Sequence, residues 1–143
     1  MESSQTTLLE YTVFPRNSVN IIVGPTHVGK SYFVNKLVNN YKVYFVGPID
    51  RILIILCNER VQPLVFDQDL DIPVEQIPLS EFAPQQLEPN DLVVIDDLIS
   101  VTAPIKETFN VGAHHYNLAS LFIITHDVVG LSLIHISEPT RPR

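Results

Sequence analysis

Gly24-Pro25-Thr26-His27-Val28-Gly29-Lys30-Ser31 fits the spacing G-x-x-x-x-G-K-[ST], and the chemistry of that pattern is phosphate binding. Glycines permit backbone geometry that a side chain would forbid, so successive N–H groups can turn toward phosphate oxygens. Lys30 supplies a point positive charge for the β and γ phosphates of ATP, and the Ser31 hydroxyl suits a ligand of Mg²⁺. All eight residues are candidate nucleotide contacts. A second acidic site follows in Asp91-Leu-Val-Val-Ile-Asp96-Asp97. Asp96 is the candidate Mg²⁺ ligand, directly or through water, and Asp97 the residue that orients or deprotonates an attacking water. Alone, four apolar residues followed by two acids are a weak signal. Standing 66 positions after Lys30 in one α/β pattern, they gain weight.

These residues need elements to hold them. Val19–Val23 is a β-branched apolar run that predicts a buried parallel strand, and a helix is expected from about Lys30 to Asn40. The N-terminus of that helix adds partial positive charge at the phosphate loop. Phe33, Leu37 and Val38 fall on its sheet-facing side, and Asn39-Asn40 ends it. Lys42–Val46, Arg51–Cys57, Asp91–Asp97 and Leu118–Thr125 read as further strands, with a helix over 103–115 beginning near Pro104. Prolines at 63, 73, 78, 84 and 89 exclude long helices between 59 and 90 and leave short pieces, with one or two helical turns over 80–87. A three-layer α/β sandwich is expected, with a mostly parallel sheet and the ligand at the carboxyl ends of its strands. The last strand ends in Thr125-His126-Asp127. There His126 could stand beside the γ-phosphate and sense hydrolysis, or be a plain loop histidine. His114 and His115 project differently from a helix and Cys57 is the only thiol, so no zinc site is expected.

With 143 residues, 45% of them apolar, the chain has material for one domain with one core. No apolar run approaches the ~20 residues of a bilayer-spanning helix. The opening Met-Glu-Ser-Ser-Gln-Thr-Thr lacks the basic start and apolar segment of a secretory signal, and a single cysteine suits a reducing intracellular compartment. Cys57 lies in an apolar run and is expected to be a core residue. The net charge is −7, with nine acidic and no basic residues between Arg60 and Lys106. Such a surface repels a polyanion. Any DNA contact would come from a few local residues or from parts outside this chain.

Taken together, GPTHVGKSYFVNKL, Asp50-Arg51-Ile-Leu, LVVIDDL and AHHYNLASLFIITHDV resemble the small genome-packaging ATPases of double-stranded DNA viruses and large self-synthesising DNA transposons. The resemblance covers residues 19–130. It implies a P-loop fold similar to RecA-like motors, lacking the family's C-terminal portion. It also implies a homo-oligomeric ring that drives double-stranded DNA into a capsid by ATP hydrolysis. Partners would then be DNA and capsid protein, in the nucleus or cytoplasm of an infected cell or in the virion. By position, Lys30 and Ser31 would contact nucleotide and Mg²⁺, Asp96 would be the metal-side acid and Asp97 the water-activating one. His126 stands where this family commonly has Gln, and Tyr116 where Arg is common. Residues 1–18 read as a lead-in. Residues 131–143, LSLIHISEPTRPR, resemble the in-frame translation of a sequencing adapter and are set apart from the fold. Two other readings stay open. One is a small P-loop kinase, for which Arg51 and Arg60 are the only arginines between the phosphate-loop helix and the last strand. The other is a truncated copy that binds nucleotide without turnover.

Overall fold

The computed structural model describes residues 13–24, 29–58, 64–66, 70–98, 100, 102–112 and 116–125; of Ser31, Val111 and Gly112 it describes the backbone alone. Five strands form one sheet: β1 (Ser18–Val23), β2 (Arg51–Leu56), β3 (Val74–Pro78), β4 (Asp91–Leu98) and β5 (Ser120–Thr125). Their order is β1-β5-β4-β2-β3, and every neighbouring pair is parallel. The chain is thus α/β, and all five carboxyl ends lie along one side of the sheet.

Parallel strands are covered on both faces, so their sequences read as continuous apolar runs. Ile52, Ile54, Leu92, Val94, Phe122 and Ile124 pack on one face against Phe33, Val34, Leu37 and Val38 of helix α1 (Lys30–Asn39). The alternate residues Leu53, Ile55, Val93, Ile95, Leu121 and Ile123 pack on the other face with Phe82, Leu87 and Ile105. Phe122 is central to the first cluster. The rings of Phe14, Phe33 and Phe45 surround it with centroids 4.9, 6.0 and 5.9 Å away.

The expected strand over Lys42–Val46 is instead one helical turn, α2 (Tyr41–Tyr44), followed by a single bridge from Phe45 to Phe14. The reason is the spacing of the rings. Tyr41 and Tyr44 are both buried, three positions apart, and a turn of helix puts them on one side where a strand would set them on opposite faces. The expected helix over 103–115 is helical through its described part, but not uniformly: α3 spans Ala103–Glu107, a π-helical turn takes Thr108–Gly112, and 113–115 lie outside the described residues. Thr108 Oγ1 donates to the Pro104 carbonyl at 2.8 Å, a local bond that competes with regular helix. The last strand starts at Ser120, because Asn117 just before it turns through φ 54°. Among the short pieces of the proline-rich stretch are the edge strand β3 and two 3-10 turns, Leu79–Glu81 and Pro84–Gln86. Residues 126–143, with the adapter-like tail, lie outside the described residues.

Asp71 fastens α2 from outside. It accepts a hydrogen bond from Tyr41 Oη and pairs with Lys42 Nζ at 2.7 Å. Lys42 foremost, and Tyr41 with it, hold its carboxyl down at about 2. A depressed carboxylate contributes stability above its ordinary titration range, and that contribution is lost as pH falls through the folded value. The melting temperature of Asp71→Asn should therefore lie below wild type at pH 7. The gap should narrow between pH 4 and pH 2, read by circular dichroism.

Candidate functional site

The carboxyl ends of β1, β5, β4 and β2 bring the candidate residues together. β1 runs into Gly24, whose N–H donates to the Thr125 carbonyl at 3.2 Å, so the start of the expected phosphate loop is tied to the tip of β5. Pro25, Thr26, His27 and Val28 lie outside the described residues, as do His114, His115 and His126. The chain re-enters at Gly29, which takes φ 85°, a conformation open to glycine and costly for a residue with a Cβ. Its carbonyl accepts from Phe33 N–H at 2.8 Å, which opens the first turn of α1. The helix therefore begins at Lys30, where the sequence places it.

Lys30 is the most telling side chain of the site. It is 8% exposed, and its Nζ has no hydrogen-bond partner among the described residues. A buried, unmatched ammonium is costly to a fold, about 1–3 kcal/mol for a lost partner and more for a charge. The nearby charge it meets is Asp96. Burial, first, and the neighbouring Asp97, second, push the Asp96 carboxyl up, while Lys30 opposes that rise.

The two acids sit on an irregularity. β4 and β5 are in register up to Ile95 and Ile123, then shift, and pairing resumes with Leu98 opposite Thr125. Asp96 and Asp97 occupy that bulge. Asp97 has φ 58°, a left-handed conformation that an Asp tolerates better than most residues. Bulges re-aim side chains at the ends of strands. Thr125, 2% exposed, braces the far side with Oγ1 donating to the Leu98 carbonyl at 3.0 Å. Across the other side of β4, Leu56 pairs with Asp96, and Cys57 N–H donates to the Asp96 carbonyl at 3.1 Å. The next residue, Asn58, donates from Nδ2 to Asp97 Oδ2 at 3.1 Å.

Cys57 packs against the second apolar cluster. Burial and the two acids push its thiol up to about 12, so it is a poor nucleophile at neutral pH. Asn58 and Thr125 are the residues that sequence reasoning passed over. A polar residue directly after an apolar strand was the available signal for Asn58.

A nucleotide with Mg²⁺ fits what is present. The orphaned Lys30 ammonium calls for an anion, and Asp96 offers one carboxylate beside it. Among the described residues no three His, Cys, Asp or Glu side chains converge on one point. Mg²⁺ held by one or two protein oxygens plus substrate phosphates needs no such cluster. Among those residues, too, no helix is long and apolar enough to cross a membrane. Compared with family models, curated proteins and solved structures, the chain matches none of them.

Proposed function

We propose that this chain is the ATP-binding part of a P-loop motor ATPase, three-layered and RecA-like, that moves double-stranded DNA into a capsid. The observation that carries the nucleotide reading is the buried, unpartnered Lys30 ammonium at the start of α1, with Asp96 beside it at the carboxyl edge. In this reading Gly24 to Ser31 wrap the phosphates, Lys30 neutralises the β and γ groups, and Ser31 with Asp96 hold Mg²⁺. The metal screens the phosphate charge when bound. Asp97 takes the proton from a water whose oxygen attacks the γ-phosphorus, as the bond to the ADP oxygen breaks. His126 next to the tip of β5 reports loss of the γ-phosphate to the rest of the ring.

The DNA and capsid part of the proposal is supported by the sequence resemblance alone. The acidic stretch between Arg60 and Lys106 places any DNA contact on other surfaces of a homo-oligomer or on further chain. A nuclear, cytoplasmic or virion location goes with the same reading. The experiment is ATP turnover by the chain with and without double-stranded DNA. Stimulation by DNA, with turnover lost on the order of 100-fold or more in Asp97→Asn while Mg·ATP binding is retained, is the expected result. Turnover indifferent to DNA would favour the kinase reading once an acceptor is found. Nucleotide binding without turnover would favour the non-hydrolysing copy.

A further inference from the structure

Helix α1 has a second side. Phe33, Val34, Leu37 and Val38 pack on the sheet, while Tyr32, Asn35, Lys36 and Asn39, with Asn40 just after the helix, line a groove of about 370 Å³ on its outer face. Their spacing makes one helical stripe. The stripe begins two residues after Lys30. Helical side chains lean toward the N-terminus, so the Tyr32 ring covers the first turn, at the end where the expected phosphate loop enters. The ring is 47% exposed, an aromatic surface that the fold leaves in water. Lys36 Nζ stands 5.9 Å from the ring centroid and makes no ion pair among the described residues. The three amides form the wall. Asn39 Nδ2 donates to Asn35 Oδ1 at 2.8 Å, Asn35 Nδ2 to the Val65 carbonyl at 3.3 Å, and Asn40 Nδ2 to the Lys36 carbonyl at 3.0 Å. An amide has two N–H donors and two acceptor lone pairs. Asn35 has used one of each among the described residues, and keeps one of each.

We infer that this groove is the base subsite of the nucleotide site, with the adenine ring stacked on Tyr32 and its edge held by Asn35. A flat ring face next to an amide that can still give one hydrogen bond and take one matches adenine, whose edge sets the N7 acceptor beside the N6 donor. The groove's volume lies at the small end of ligand sites, which suits one nucleoside and little more. Lys36 fixes the orientation of the Tyr32 ring by its charge, so less freedom is lost when a base arrives. The inference rests on the nucleotide reading above, in which Lys30 takes the β and γ phosphates. The start of α1 then divides the ligand: the sheet side holds the triphosphate and the outer side holds the base. Discrimination among triphosphates thus falls to Tyr32 and Asn35, neither of which takes part in hydrolysis.

The test is calorimetric titration of the full chain with Mg·ATP and with Mg-tripolyphosphate, which carries the phosphates and no base. Wild type should bind ATP about 10-fold more tightly than tripolyphosphate, the margin that one stacked base supplies. Tyr32→Ala should lose that margin: its dissociation constant for ATP rises about 10-fold, and that for tripolyphosphate stays within about 2-fold of wild type. Tyr32→Phe keeps the stacking face and should stay within about 2-fold for both ligands. Asn35→Leu should weaken ATP alone, by about 5-fold. Tripolyphosphate binding doubles as the check that each variant is folded. An ATP-to-tripolyphosphate ratio that is the same in Tyr32→Ala as in wild type overturns the subsite while leaving the phosphate site standing. A wild-type chain that binds neither ligand defeats the nucleotide reading, and the subsite with it.

Discussion

Lys30→Met is expected to raise the stability of the nucleotide-free protein and to abolish its binding of ATP. Both effects have one cause. The Lys30 ammonium is buried with no hydrogen-bond partner among the described residues. Its removal relieves about 1–3 kcal/mol of desolvation. Methionine keeps the length and apolar stem of the lysine, so no large cavity is left behind. Asp96 loses the cation that opposes the rise of its pKa, so its carboxyl is pushed further up. For a chain of this size the gain corresponds to a melting temperature higher by about 2–8 °C. Binding goes the other way. The β and γ phosphates lose the only point charge the loop offers them, and affinity falls on the order of 100-fold or more.

Thermal melts with and without Mg·ATP read both signs in one experiment. Wild type should melt higher with ligand, by about 2.7 kcal/mol when ATP stands at 100 times its dissociation constant. Lys30→Met should start higher and gain nothing. A variant less stable than wild type would mean that the ammonium has a good partner in the empty protein. A variant that still gains from ATP would remove Lys30 from the site altogether.

What could be read in the sequence was what is local. β2, β4 and β5 were legible because a strand covered on both faces must be apolar at every position, and Ile52–Ile55, Leu92–Ile95 and Leu121–Ile124 are. The start of α1 was legible because Gly29 and Lys30 are tied to it by spacing. Over Lys42–Val46 the same logic failed. Tyr44 and Phe45 look like strand residues, yet Tyr41 also had to be buried, and only a helical turn buries Tyr41 with Tyr44 while leaving Val43 exposed. The site divides in the same way. Two adjacent acids announce a carboxyl cluster, but the bulge beneath them and the φ of Asp97 depend on how β5 and β2 meet β4. The bond from Asn58 to Asp97 crosses 39 positions of sequence and has no local signature beyond one polar residue at a strand end.

The opposite edge of the sheet carries the largest expected loss of stability. Arg51 and Asp91 open β2 and β4 and face each other in register. Arg51 Nε donates to Asp91 Oδ1 at 3.1 Å and Nη2 donates to Oδ2 at 2.5 Å, a two-pronged pair with Asp91 1% exposed. The fork reaches further, to the Gln86 carbonyl at 2.9 Å and to Glu75 at 3.6 Å. The hydrogen bond it donates to Asp91 raises the pKa of the guanidinium, against the cost of burial. In Arg51→Met the Asp91 carboxylate stays buried, with the Glu88 N–H at 2.9 Å but without its cation. Breaking one side of a buried pair costs about 3–5 kcal/mol, a large part of a domain's whole stability. The melting temperature should fall on the order of 10 °C. Arg51→Lys keeps the charge and loses the fork, so it should fall between the two. Replacing both partners, Arg51→Met with Asp91→Leu, removes the stranded charge and should recover most of the loss. Because this pair lies at the amino ends of the strands, each variant that remains folded should bind Mg·ATP as wild type does. A loss of binding in folded Arg51→Met would mean that the two edges of the sheet are coupled, and the carboxyl-edge residues could then no longer be treated as a self-contained site.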